Sequence, residues 1–264
     1  MSILETNSRS LKANVDLRIR DLGRMAYAPA LAIQREVQQA VIAARDSSQP
    51  FMEILLVEHD PPVITVSRRP GARKHLIASD AQLKAAGVEV AETDRGGDIT
   101  YHGPGQLVMY PILDLNALNL RMVSYLRFLE QIVIDTLKDF SIDGLRDDSA
   151  TGVWVAPRDA HALQSMGVDD RTALSAAKIC ALGVRVSRWV TMHGLALNVT
   201  TNLDHFNLIV PCGLAGRSVT SMQRELGDEC PDMEVLKRSM TRHFRLAVDR
   251  ALDAQRGAED GPPR

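Results

Sequence analysis

Apolar and charged residues alternate from Val15 to Leu22 (VDLRIRDL), the two-residue period of a strand with one buried face. The period then changes. Ile33, Val37, Ala40, Val41 and Ala44 recur at helical spacing, with Pro29 near the start of that helix. Phe51 to Glu58 is apolar enough for a central strand, and Asp60-Pro61-Pro62 forces a turn into the strand Val63 to Val66. Val88 to Ala91 and Gln106 to Leu113 read as further strands, with a glycine-rich segment, 95–105, between them. Val123 to Phe140 is a second helix with Leu126, Leu129, Val133 and Leu137 on one face. Short strands follow at 152–156, 178–187 and 194–200, and a last helix spans about 232–252. Helices and strands interleave, yet several strands arrive in hairpin-like succession. The pattern predicts a mixed α/β domain of the α+β type, not a doubly wound parallel sheet. Pro157 to Ala177 is long, polar and weakly periodic, an exposed or mobile loop between two strands.

Composition narrows the class. The 264 residues suffice for one large domain or two small ones, and 45% hydrophobic against 24% charged is an ordinary globular balance. Lys+Arg (31) and Asp+Glu (33) nearly cancel, which argues against a general nucleic-acid binder. Three cysteines, Cys180, Cys212 and Cys230, form no CxxC pair and no even framework, so a reducing compartment fits best. No stretch is apolar enough for a signal peptide or a membrane span. The expectation is a soluble cytoplasmic protein with flexible ends at 1–11 and 253–264.

Three segments carry candidate chemistry. In IVPCGLAG an apolar strand runs into Pro211, Cys212 and Gly213, a placement that suits a nucleophile on a tight turn. A buried structural cysteine fits that segment equally well. A thiol with the reference pKa of about 8.5 is mostly protonated at neutral pH and needs a cation or a helix N-terminus beside it. Lys178, opening the apolar strand Ile179 to Val186, is the candidate cation, although an edge lysine reaching water has the same sequence. The segment RGGDITYHGPGQ (95–106) holds so much glycine that its backbone is expected to lie against a ligand; a hairpin is the alternative. It matches neither GxxxxGK[ST] nor GxGxxG. In TMHGLALN, Gly194, Leu195 and Ala196 are able to wall an apolar slot, while His193 is either a base for Cys212 or a satisfied core histidine. A zinc site from His102, His193 and the cysteines lacks local ligand spacing, and no metal is expected. Arg68, Arg69, Arg73, Lys74 and His75 crowd one loop, either solvated or steering an acidic partner.

Taken together, EHDPPVITVSRR (58–69), RGGDITYHGPGQLVMYPILDL (95–115), TGVWV (151–155), KICALGVRVSRWVTMHGLALNV (178–199) and PCGL (211–214) resemble the octanoyltransferase family of lipoate biosynthesis. The resemblance implies the fold of biotin and lipoate protein ligases, a mixed sheet flanked by helices, in one catalytic domain over 12–252. It implies Cys212 as acyl acceptor and Lys178 as the residue that lowers the thiol pKa. It places substrate contacts at Arg95, Gly96, Gly97, Asp98, Ile99, Thr100, Tyr101 and His102, at Ala181, Leu182 and Gly183, and at Gly194, Leu195 and Ala196. No cofactor is implied. The implied donor is octanoyl-acyl carrier protein. The implied acceptors are lysines of apo lipoyl domains, in 2-oxoacid dehydrogenases and the glycine cleavage H protein, with no nucleic acid and no membrane involved. Two features depart from the family pattern: Ser67 stands at the usual glycine of T-x-G-R, and the 157–177 segment is longer than usual.

The implied reaction is attack of the Cys212 thiolate on the donor thioester, then aminolysis of the acyl-enzyme by the acceptor lysine, with Lys178 taking the proton. Thioester to amide runs downhill without ATP. Three rivals share parts of this picture: an ATP-dependent lipoate ligase of the same fold, a Cys212–His193 thioester hydrolase, and a non-catalytic binder of lipoyl domains.

Overall fold

The computed structural model describes residues 15–148, 150–156, 176–210 and 217–259. In chain order, β1 (Asp16–Met25), α1 (Tyr27–Ala44), β2 (Phe51–His59) and β3 (Val63–Ser67) lead to a 3-10 turn at Ala72–His75. Then come α2 (Asp80–Ala86), β4 (Glu89–Thr93), β5 (Ile99–His102) and β6 (Gln106–Ile112). The second half holds α3 (Met122–Lys138), β7 (Gly144–Leu145), β8 (Val153–Val155), β9 (Ala177–Ser187) and β10 (Val190–Asn198). A 3-10 stretch at Leu203–Leu208 precedes α4 (Met222–Leu226) and α5 (Met233–Glu259).

Two mixed sheets result. The larger has the order β1-β2-β6-β10-β9-β8-β7, with only β1 and β2 parallel; the smaller is β4-β3-β5. The larger sheet is apolar on both faces because alternate residues of its central strands meet different helices. Met52, Ile54, Leu56, Leu107 and Met109 pack with α3 and α5, while Leu55, Val57, Val108, Tyr110 and Ile112 pack with α1. In α5, Leu236, Met240, Phe244 and Val248 fall every four residues and are all fully buried. Each such side chain contributes roughly 1.5–3 kcal/mol by leaving water.

Several expectations shift. On α1 the inward face includes Gln34 and Gln38, whereas Ala40 is exposed, so the apolar stripe is narrower than the spacing predicts. Gln38 Nε2 donates to Val190 O at 2.8 Å and Gln34 Oε1 accepts from His193 N at 2.9 Å, which ties the helix to β10 through polar pegs. The glycine-rich segment contains a strand, β5, and α5 continues beyond Leu252 to Glu259. The expected loop 157–177 falls outside the described residues except at its end, where Ala177 begins β9. Among the described residues no helix is long and apolar enough to cross a membrane.

Candidate active site

A cavity opens between the two sheets. Arg95, Gly97, Ile99, Thr100 and His102 line it from the smaller sheet and its approach. Lys178 and Ala181–Gly183 come from β9, and His193–Ala196 from β10. Tyr27, Val108, Tyr110, Phe206 and Val219 supply further apolar wall. Gly194, Leu195 and Ala196, expected to wall an apolar slot, border this cavity, and Gly194 lies so close to Met109 O that a Cβ would sit 2.2 Å from it.

Lys178 owes its position to the TGVWV segment. Its Nζ donates to Thr151 O at 3.0 Å and lies 4.5 Å from the centroid of the Trp154 ring. Gly152, at φ 136°, passes beneath: a Cβ there would lie 3.1 Å from Lys178 Cε and 2.8 Å from Cys180 O. Gly152 N donates to the buried Glu130 carboxylate at 3.1 Å, which fixes the turn. The lysine backbone is bound to the chain just after 211–216, with Lys178 N donating to Ser218 O and Thr220 N donating to Lys178 O. Arg217 shares the same indole, its guanidinium 3.6 Å from the ring centroid.

Three buried histidines cluster here, and two of them, His102 and His193, line the cavity. His59 Nδ1 donates to Met25 O at 3.0 Å, so its Nε2 accepts from the Tyr110 hydroxyl at 2.6 Å. Burial pushes the His59 imidazole down to about 4. His193 Nε2 donates to Asp94 Oδ1 at 2.9 Å, and Arg185 holds the other carboxylate oxygen at 2.6 Å. Burial raises the Asp94 carboxyl, but the His193 hydrogen bond and the Arg185 charge outweigh it and hold the group below its usual value. Burial likewise lowers His193, against the pull of Asp94, so the contact is a hydrogen bond from a neutral ring. His102 is buried, and burial together with the His59 and Arg95 charges pushes it well below the usual histidine range.

The sequence-predicted residues divide. Lys178, Arg95, Gly97, Ile99, Thr100, His102, Ala181, Leu182, Gly183, Gly194, Leu195 and Ala196 all border the cavity. Gly96, Asp98 and Tyr101 are not among its lining. Gly96 N is hydrogen-bonded to Val184 O, Asp98 pairs with Arg69 at 3.0 Å, and the Tyr101 hydroxyl meets His205 Nδ1 at 2.9 Å. Gly97 of RGGDITYHGPGQ lines the cavity, and other glycines pack closely against the protein itself. A Cβ at Gly105 would meet Thr200 at 2.6 Å, and one at Gly183 would meet Gly96 O at 2.9 Å. Ser67 is no obstacle either: its N donates to Asp98 O, its hydroxyl accepts from Arg69 N, and the position needs no left-handed backbone. Spacing gave no sign of Thr151, Gly152 and Trp154 as a lysine cradle, or of Asp94 as the partner of His193.

Cys212 lies in 211–216, outside the described residues. The other two thiols are poor nucleophiles. Cys180 is fully buried, and burial pushes it up to about 12; burial and Asp232 raise Cys230. Among the described residues no cluster of His, Cys, Asp and Glu is arranged to hold a metal ion.

Comparison with known proteins places this geometry in context. Residues 26–245 match the lipoyl protein ligase A/B catalytic domain. An octanoyltransferase of Solibacter usitatus is 46% identical over 88% of this chain and 92% of its own length. One from Acidobacterium capsulatum is 43% identical over 86% and 88%. One from Porphyromonas gingivalis is 41% identical over 85% of this chain, which spans only 43% of that protein. Among solved structures, lipoate-protein ligase A bound with ATP superposes with a TM-score of 0.62 at 16% identity, over 89% of this chain and 86% of that one. The bipartite lipoate protein ligase of Thermoplasma acidophilum gives 0.60 at 13%, over 89% and 85%. At such identities these two establish the shared fold alone.

Proposed function

Since the chain belongs to the lipoyl protein ligase A/B catalytic-domain family, and within it to the octanoyltransferases, we propose that it transfers an octanoyl or lipoyl group from acyl carrier protein to a lysine of an apo lipoyl domain through a thioester on Cys212. The observation that carries the reading is the seat of Lys178. A backbone carbonyl and an indole face both favour a cation, and they hold its Nζ at the edge of an apolar cavity. The same strand is hydrogen-bonded to the chain that follows Cys212. Burial raises both Cys180 and Cys230, which makes neither a ready nucleophile and supports the assignment to Cys212.

In this mechanism the Lys178 ammonium stabilises the Cys212 thiolate, which attacks the donor's thioester carbonyl. The carrier thiol leaves and the acyl chain stays in the cavity walled by Leu182, Leu195 and Ala196. The acceptor lysine then attacks the acyl-enzyme. Each buried methylene contributes about 0.8 kcal/mol, so chain length is selected only a few-fold per carbon. The basic loop 68–75 gives an acidic carrier a place to dock beside the entrance to 211–216, since Val210 N donates to His75 O at 2.7 Å. The acceptors are taken to be 2-oxoacid dehydrogenase and glycine cleavage H lipoyl domains. A free thiolate nucleophile suits the reducing cytoplasm.

The test uses octanoyl carrier protein alone. Intact-mass measurement is expected to find one octanoyl adduct, labile to hydroxylamine, and peptide mapping to place it on Cys212. An unmodified protein after prolonged incubation counts against the mechanism.

A further inference from the structure

Thr151 O and Gly152 N belong to one peptide group, and its two sides meet opposite partners. Lys178 Nζ donates to the oxygen at 3.0 Å, and the nitrogen donates to Glu130 Oε1 at 3.1 Å. The peptide is trans, so its C=O and N–H point in opposite directions. A carboxylate therefore stands at the positive end of the peptide dipole and the lysine at its negative end. Glu130 is buried and uses its two oxygens separately. Oε2 takes Arg127 Nη1 at 2.8 Å and Arg146 Nε at 3.4 Å, and Arg146 is held in turn by Gln131 Oε1 at 2.6 Å. Those contacts turn Oε1 toward Gly152.

We infer that Glu130 is a positioning residue: it decides which side of the 151–152 peptide Lys178 meets. The inference rests on the octanoyltransferase reading only for the task given to Lys178. Position 152 has to be glycine, since a Cβ would lie 2.8 Å from Cys180 O and 3.1 Å from Lys178 Cε. Glycine adopts either sign of φ at little cost, so the space made for the lysine also leaves the preceding peptide able to turn over. Turned over, it would offer Lys178 an N–H, which repels an ammonium. The bond to Glu130 holds the carbonyl side in place and, being charge-assisted, polarises the oxygen that Lys178 donates to. A carbonyl only accepts, so Lys178 donates to it as ammonium or as amine, and the nitrogen keeps its place through a proton transfer.

The charged and titratable groups around the lysine come from several elements. Glu130 and Arg127 belong to α3, Arg146 follows β7, and Cys180 lies on β9. Arg217 stands over Trp154 with Asp147 at 2.6 Å, and Glu225 is reached through Thr220. Arg95, His102 and His193 share the cavity wall with Lys178. Glu130 is the anion bound to the peptide on which Lys178 rests.

The experiment reads that peptide directly. Thr-Gly occurs once in the sequence, so the full chain labelled with carbonyl-13C threonine and 15N glycine gives a single carbon–nitrogen correlation by NMR. In the unaltered protein this signal should move with the titration of Lys178, followed through labelled lysine and assigned by its loss in Lys178→Met. In Glu130→Gln, which keeps an acceptor but no charge, the midpoint of that titration should fall on the order of one pH unit. In Glu130→Leu, which keeps no acceptor, it should fall further, and the peptide signal should cease to follow it. Lys237 on α5, paired with Asp21 and Glu234, should titrate unchanged in both variants and so reports that they are folded. Equal midpoints in the two variants would mean that Glu130 acts by charge alone and would overturn the positioning role. So would a peptide signal indifferent to Lys178 in the unaltered protein, a measurement that needs no variant to fold. A peptide that follows Lys178 in a protein forming no Cys212 adduct refutes the octanoyltransferase reading and leaves the role of Glu130 standing.

Discussion

The Lys178 ammonium depends on residues that contribute no charge of their own. Thr151 supplies a carbonyl, Gly152 supplies space, and Trp154 supplies a π face. Removing the cation by Lys178→Ala should shift the alkylation rate of the Cys212 thiol toward higher pH, because the thiolate loses its neighbour. A rate-versus-pH profile that coincides with the unaltered protein would remove Lys178 from its role. Sequence reading reached Lys178 through its position at the mouth of an apolar strand. It did not reach the cradle, because a main-chain carbonyl leaves no side-chain signature and a glycine's space is visible only once the strands are paired.

At the scale of elements, the periodic helices were the most legible, and the misses have identifiable causes. β10 begins at Val190, well before Gly194, because the hairpin turn is made by Arg188 and Trp189, both at positive φ without the Asn or Gly that normally signals such a turn. His193, at φ 57°, then interrupts the regular strand conformation. β5 was hidden by the glycines that flank it. α2 had a readable signal: Ser79 and Gln82 form a capping box, each side chain accepting from the other's backbone. The 3-10 turn at Ala72–His75 sets Arg73 and Lys74 on the surface beside the chain leading to 211–216. Reversing both charges (Arg73→Glu with Lys74→Glu) should raise KM for octanoyl carrier protein roughly tenfold at low salt. The difference should narrow as ionic strength rises, and octanoyl-pantetheine, which has no protein to dock, should be used equally well.

For the whole molecule, the buried imidazoles set a limit on acid tolerance. His59 titrates near 4 in the fold and at about 6.5 when unfolded, so between those values the unfolded chain binds the extra proton and stability falls with falling pH. His102 and His193 act in the same direction. The thermal midpoint should drop as pH is lowered from about 6.5 toward 4. His59→Gln should flatten that slope, and an unchanged slope would assign the loss to other groups. A last consequence comes from Trp154, whose indole serves Lys178 on β9 and Arg217 on the chain returning from 211–216. The protein has two tryptophans, and Trp189 is 44% exposed. With Trp189→Phe, the remaining emission comes from a fluorophore in contact with both cations. Loading of an acyl group should then be visible in real time as a change in light output, without any label on the substrate.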